Sequence, residues 1–169
     1  SWNIEEFSRL SDFSVLLMNY RGYGESGGVP TETNLVGDAK AILRGLEDRY
    51  QSIALVGRSL GSGIAVQVAA VVEVDSIVLV TPYDSIVSVA KGMYPFVPVS
   101  RLLKDRYDSV KAAANTRAPA LVLLAENDTI IPVKHSRQLF EMWKGETRWV
   151  EVAGTDHNSI SQNPLYWDH

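Results

Sequence analysis

Gly57-Arg58-Ser59-Leu60-Gly61 sets a serine between two glycines, after the apolar run Ser52–Val56 and before the small, apolar stretch Leu60–Val72. G-x-S-x-G between a strand and a helix is the pattern of a nucleophilic serine on a tight, strained turn. Glycines two positions either side leave room for that turn. The helix that follows aims backbone N–H groups at developing negative charge. Such a serine needs a base and a group that orients the base. The chain has three histidines. His135 follows Pro132 inside an amphipathic helical pattern and reads as a solvated surface residue, and His169 is the last residue. His157 lies in "GTDHNS", directly after the strand-like run Thr147–Val152, where an α/β sheet puts its site. For the acid, Asp128 in "LLAENDTIIP" is the first choice and Glu126 the second. Asp156 adjoins the histidine, and its own backbone keeps it from turning onto the ring. Ser59, Asp128, His157 is the chain order of one serine-triad arrangement and not of the chymotrypsin or subtilisin ones.

Those three residues must be held by regular elements. Apolar, β-branched runs of strand length occur at Phe13–Asn19, Ser52–Val56, Ser76–Thr81, Ala120–Ala125 and Thr147–Val152. Most are continuous rather than alternating, which implies burial on both faces. Helical patterns fall between them. One is opened by Thr31 with Leu35, Ala39, Ile42, Leu43 and Leu46 as its stripe, the second is Leu60–Val72, and a third starts at Pro132. Strand and helix in alternation predict an α/β fold, a mostly parallel sheet flanked by helices, in one domain over 1–169. Residues 83–118 break the rhythm, and "MYPFVPVS" within them suggests either a short cap inserted over the sheet or an irregular connection packed on the surface. Tyr83, Met93 and Phe96 are then the candidates for an apolar substrate pocket.

Composition narrows the partners. The net charge is −4, and no Lys/Arg cluster favours nucleic acid as a ligand. With no cysteine there is neither a disulfide frame nor thiolate chemistry. No apolar run approaches the ~20 residues that span a bilayer. Ser1 is not an initiator methionine, so localisation stays open between cytoplasmic and membrane-anchored through an upstream segment.

A second glycine cluster, "YRGYGESGG" at Tyr20–Gly28, fits the G-x-G-x-x-G spacing of dinucleotide sites. There the third glycine sits inside the first helical turn, and an acidic residue about 20 positions on closes the next strand. Here the helix begins only near Thr31, and Glu47 and Asp48 lie in its tail. The nucleotide reading fails on both counts.

The chain resembles the α/β-hydrolase superfamily, and more narrowly the Bem46-like serine hydrolases, over essentially its whole length. "NYRGYGESGG" matches that family's Y-R-G-x-G-x-S-x-G loop. "PTETNLVGDAKAIL" is similar to the helix that follows it, "GRSLGSG" to the elbow, and "RYDS" to the end of the cap. "AENDTIIP" matches G-x-x-D-x-x-V-P with Ala125 for Gly and Ile131 for Val, and "GTDH" matches G-x-x-H. The resemblance implies a glycine loop beside an active site, with Ser59, Asp128 and His157 as the catalytic set. It also implies the Leu60 N–H as one oxyanion donor, and cleavage of small-molecule or lipid acyl esters or thioesters without metal or organic cofactor. The second oxyanion donor of that fold comes from an H-G-G or H-G-N loop, which this sequence lacks. That loop and the first three strands are expected upstream of Ser1, leaving Phe13–Asn19 and Ser52–Val56 parallel but not paired. A non-catalytic binding module that keeps the fold is the alternative.

Overall fold

Residues 12–168 are described in the computed structural model, within two compact units, Ser1–Pro30 and Thr31–His169. In the first, the glycine loop is closed by its own backbone. The Gly22 N–H donates to the Ser26 and Gly27 carbonyls at 3.0 and 3.1 Å, and the Ser26 N–H to the Tyr23 carbonyl at 3.0 Å. Gly22 has φ +77°, and a Cβ there would lie 2.7 Å from Pro30 Cδ, so glycine is required. Burial, and to a lesser degree Tyr23, raises the pKa of the Tyr20 phenol. Phe13–Asn19, expected as a strand, forms none. A strand exists through its ladder, and this run joins no ladder among the described residues; Phe13, Val15, Leu16 and Leu17 are exposed.

The second unit carries the sheet. Its elements are α1 (Glu32–Arg44), β1 (Ala54–Arg58), α2 (Leu60–Ala69), β2 (Ser76–Val80), α3 (Ile86–Met93), α4 (Val99–Leu102), α5 (Ser109–Ala113), β3 (Ala120–Ala125), α6 (Val133–Glu141) and β4 (Thr147–Val152). The strands are all parallel, in the order β1-β2-β3-β4. Parallel neighbours need crossovers, and α2 and α6 supply two of them. The remaining four strands and the helices expected from Thr31, Leu60 and Pro132 sit where the sequence pattern puts them, within two or three residues. Thr31 caps α1, its hydroxyl accepting the Asn34 N–H at 3.3 Å.

The core lies between the sheet and α2, α5 and α6. Ala65, Val66, Ile77, Leu79, Ala113, Ala120, Leu139 and Trp143 form one buried cluster. Full burial of side chains such as Ile77 and Leu79 contributes roughly 1.5–3 kcal/mol each. Val78, between them, is half-buried. The register pairs Arg58 with Val80, Val80 with Leu123 and Leu123 with Val150. The loops that follow β1, β2, β3 and β4 therefore leave from one edge.

Between β2 and β3 the chain makes an excursion pinned at its base. The Asp84 carbonyl accepts the Ser109 and Val110 N–H groups at 2.8 and 3.1 Å, and the Ile86 N–H donates to the Arg106 carbonyl at 2.9 Å. Departing and returning chain thus meet at Asp84. Farther along, Glu32 accepts the Arg106 N–H at 2.7 Å and gives its own N–H to Asp105 at 2.9 Å.

Candidate active site

Ser59 stands between the last residue of β1 and the first of α2, with φ 51° and ψ −121°. Non-glycine residues rarely adopt such a backbone, and holding it costs about 1–3 kcal/mol. Several contacts impose it. The Ser59 N–H donates to the Val80 carbonyl on β2 at 3.0 Å. The Ser59 carbonyl accepts both the Ser62 N–H at 2.9 Å and the Ser62 hydroxyl at 2.6 Å. A Cβ on Gly57 would lie 2.6 Å from the Gly61 carbonyl oxygen and 2.8 Å from Ser62 Cα, so no other residue fits there.

The structure brings the three sequence-selected side chains together. His157 Nε2 lies 2.9 Å from Ser59 Oγ, and His157 Nδ1 lies 2.8 Å from Asp128 Oδ2. Both His157 and Asp128 are buried. A carboxylate only accepts, so the pairing puts the proton on Nδ1 and leaves Nε2 to accept from the serine hydroxyl. Asp128 is itself fixed: its Oδ1 accepts the Ile130 and Ile131 N–H groups at 2.9 and 2.7 Å. Glu126, the second candidate acid, accepts the Gly154 N–H at 2.7 Å and stays off the ring. Asp156 stays off it too. Its Oδ1 accepts the N–H groups of Ser159 and Asn158 and the Ser159 hydroxyl, each at 2.9 Å. Those bonds, the Ser159 N–H foremost, hold its carboxyl below the usual carboxylate pKa. The Leu60 N–H is at the first helical position, where an α-helix leaves the N–H without an intrahelical partner.

The three expected pocket residues differ in exposure. Tyr83 is fully buried, its hydroxyl donating to the Leu60 carbonyl at 3.3 Å. It fits because residue 63 is glycine; a Cβ there would land on the Tyr83 hydroxyl. Tyr83 therefore wedges the first turn of α2. Met93 and Phe96 stand on the outside, Phe96 at 98% exposure in a proline-bounded turn. An open groove around Ser76, Pro119, Glu146 and Arg148 lies at the opposite ends of the strands and holds no catalytic arrangement.

Some residues carry more than the sequence suggested. His135 is not solvated: it is buried, with Nδ1 2.9 Å from Asp84 Oδ1 and 3.4 Å from Ser88 Oγ. Its place on the apolar stripe of α6, four residues before the buried Leu139, was the available signal. Thr81, directly after β2, has φ 46° and a buried hydroxyl without a partner among the described residues. A β-branched residue in that conformation marks strain beside the elbow. Arg58 donates to the His157 carbonyl at 2.8 Å, which no spacing in the sequence announces.

A model of the Alpha/beta hydrolase family matches residues 1–114. An uncharacterized protein of Mycobacterium tuberculosis is 38% identical over 86% of this chain and 53% of its own length. The human Alpha/beta hydrolase domain-containing protein 17B is 31% identical over 87% of this chain and 51% of its own. The chain spans about half the length of these curated relatives. Among solved structures, an alpha-beta serine hydrolase homologue from Coxiella burnetii matches with a TM-score of 0.64 at 22% identity, over 88% of this chain and 65% of that one. A monoacylglycerol lipase from Paleococcus ferrophilus matches with a TM-score of 0.59 at 22% identity, over 88% and 76%. At such identities the likeness is one of fold.

Proposed function

The chain belongs to the alpha/beta hydrolase family, and from that premise we propose that its protein is a serine hydrolase cleaving carboxylic esters or thioesters through an acyl-enzyme. The observation that carries the reading is the unbroken relay from Asp128 through His157 to Ser59, with links of 2.8 and 2.9 Å. Ser59 Oγ attacks the acyl carbon while His157 Nε2 takes its proton. Asp128 keeps the other ring proton on Nδ1 and stabilises the imidazolium. The Leu60 N–H meets the oxyanion. As the tetrahedral intermediate collapses, the bond to the leaving oxygen or sulfur breaks, and His157 returns the proton to that atom. Water then adds to the acyl-enzyme with His157 as base, releasing the acid and restoring Ser59.

Small acyl esters and lipid esters are the substrates to try first, given the likeness to a monoacylglycerol lipase. The test uses the full-length protein and a fluorophosphonate probe, which labels an activated serine quickly. Wild type should label at Ser59 and hydrolyse p-nitrophenyl esters. Ser59→Ala should neither label nor turn over, with kcat down roughly 10⁴-fold or more. A Ser59→Ala protein retaining more than about a tenth of wild-type kcat would remove Ser59 from this role. A wild type that neither labels nor hydrolyses would favour a binding module.

A further inference from the structure

Arg58 has no part in the chemistry above, yet its side chain is committed to the base. Its Nη2 donates to the His157 carbonyl at 2.8 Å and faces the Asn158 carbonyl at 3.4 Å. A guanidinium ordinarily serves a carboxylate or phosphate. Here both bonds go to backbone carbonyls of one loop, 99 and 100 residues away in sequence. The head group also sits where its charge reaches the buried Tyr166 phenol.

The rest of that loop is tied to other parts of the molecule. Thr155 accepts the Asn127 N–H at 2.9 Å, and Gly154 donates to Glu126 at 2.7 Å, both on the acid side. Asp156 closes the loop on itself through Asn158 and Ser159. Among the described residues, only Arg58 and Ser59 join it by hydrogen bonds to the nucleophile's strand and turn. The Ser59 bond cannot act as a permanent tether. Once Oγ carries an acyl group it has no proton to give Nε2, and the serine link is gone when His157 must activate water.

We infer that Arg58 is a positioning residue that keeps the His157 loop in register with the nucleophile through the acyl-enzyme stage. The inference rests on the acyl-enzyme reading for its kinetic part, and on geometry alone for the tether. Arg58 is the last residue of β1, so the tether is anchored in the sheet. Both contacts leave the one nitrogen Nη2, whose N–H directions the planar guanidinium fixes. Lysine, a point donor on a flexible stem, reproduces the charge without that fixed direction.

The experiment compares Arg58→Ala and Arg58→Lys with wild type in the full-length protein. In Arg58→Ala, kcat for p-nitrophenyl butyrate should fall roughly 10- to 100-fold, the scale of a misplaced catalytic group. KM should fall with it, leaving kcat/KM within about twofold, because slower deacylation lowers both. Intact-mass measurement at steady state should show acyl-enzyme accumulating, because deacylation is the step without the serine link. Guanidinium ion at millimolar concentration should restore part of kcat to Arg58→Ala and none to Ser59→Ala, and Arg58→Lys should fall between. Without substrate, hydrogen exchange at the amides of residues 157–160 should quicken in Arg58→Ala while that of β2 and β3 stays unchanged. Unaltered exchange at 157–160, wild-type kcat, or exchange raised across the whole sheet would overturn the inference. An inert wild type whose loop nevertheless loosens in Arg58→Ala would sink the hydrolase reading and the acyl-enzyme clause, and leave the tether supported.

Discussion

The two oxygens of Asp128 are differently occupied, and that division predicts what an isosteric change does. Oδ1 holds the Ile130 and Ile131 N–H groups, and Oδ2 faces the ring of His157. In Asp128→Asn the amide oxygen keeps the two loop bonds, so the NH₂ group must face Nδ1. The ring then carries its proton on Nε2, pointing at Ser59, and cannot act as base. We expect kcat to fall by about 10⁴-fold with thermal stability nearly unchanged, checked by ester turnover beside a melting curve. A flipped amide would instead lose both loop bonds, and the melting curve would show it. The meeting of Ser59, His157 and Asp128 was legible in the sequence because each type is one that a single chemistry would demand and each follows a strand. Arg58 was not legible, since a hydrogen bond to a carbonyl 99 residues away leaves no pattern in composition or spacing. His135 was misread because a polar residue on an apolar stripe declares its partner, Asp84, only when α6 and the chain after β2 come together.

At the scale of elements, the turn between β1 and α2 depends on what is missing from Gly57. A methyl group there meets the Gly61 carbonyl oxygen at 2.6 Å, Ser62 Cα at 2.8 Å and Ala65 Cβ at 2.9 Å. Two of these atoms are backbone and cannot swing aside, so α2 must shift away from β1. Gly57→Ala should destabilise the fold by roughly 1–3 kcal/mol, read as a lower urea midpoint. It should also slow fluorophosphonate labelling, because the carbonyl contacts that fix Ser59 move with the helix. Four strands were readable from apolar, β-branched runs, since their parallel neighbours and crossing helices bury those runs in the way the pattern assumes. Phe13–Asn19 has the same composition and forms no strand, because hydrophobicity selects a segment for burial while only a partner makes it a strand. The exposure of Phe96 and the burial of Tyr83 were unreadable for a related reason: both are decided by whether a facing element leaves space, as Gly63 does for Tyr83.

For the molecule as a whole, the sheet edge that bears the site also sets its behaviour in alkali. Burial pushes the pKa of the Tyr166 phenol from 10.0 up to about 12, against a smaller downward pull from Arg58. The folded state therefore keeps a proton that the unfolded chain gives up above pH 10.0. By linkage this contribution to stability is whole below that pH and lost as pH rises through about 12. Tyr166→Phe should flatten that part of the decline, measured as urea midpoints across the interval. A different consequence follows from the chain meeting itself at Asp84, where the carbonyl takes the Ser109 N–H at 2.8 Å. An excursion whose two ends already touch is a detachable cassette: what lies between can be exchanged without asking the sheet to accommodate a new span. Its other bonds to Glu32 would be forfeited, but Glu32 also holds Gln67 at 2.9 Å and keeps an anchor on α2. Replacing residues 86–107 by a two- or three-glycine bridge should leave a cooperative unfolding transition and Ser59 labelling intact. Transplanting the corresponding segment of a relative should then leave that transition cooperative as well.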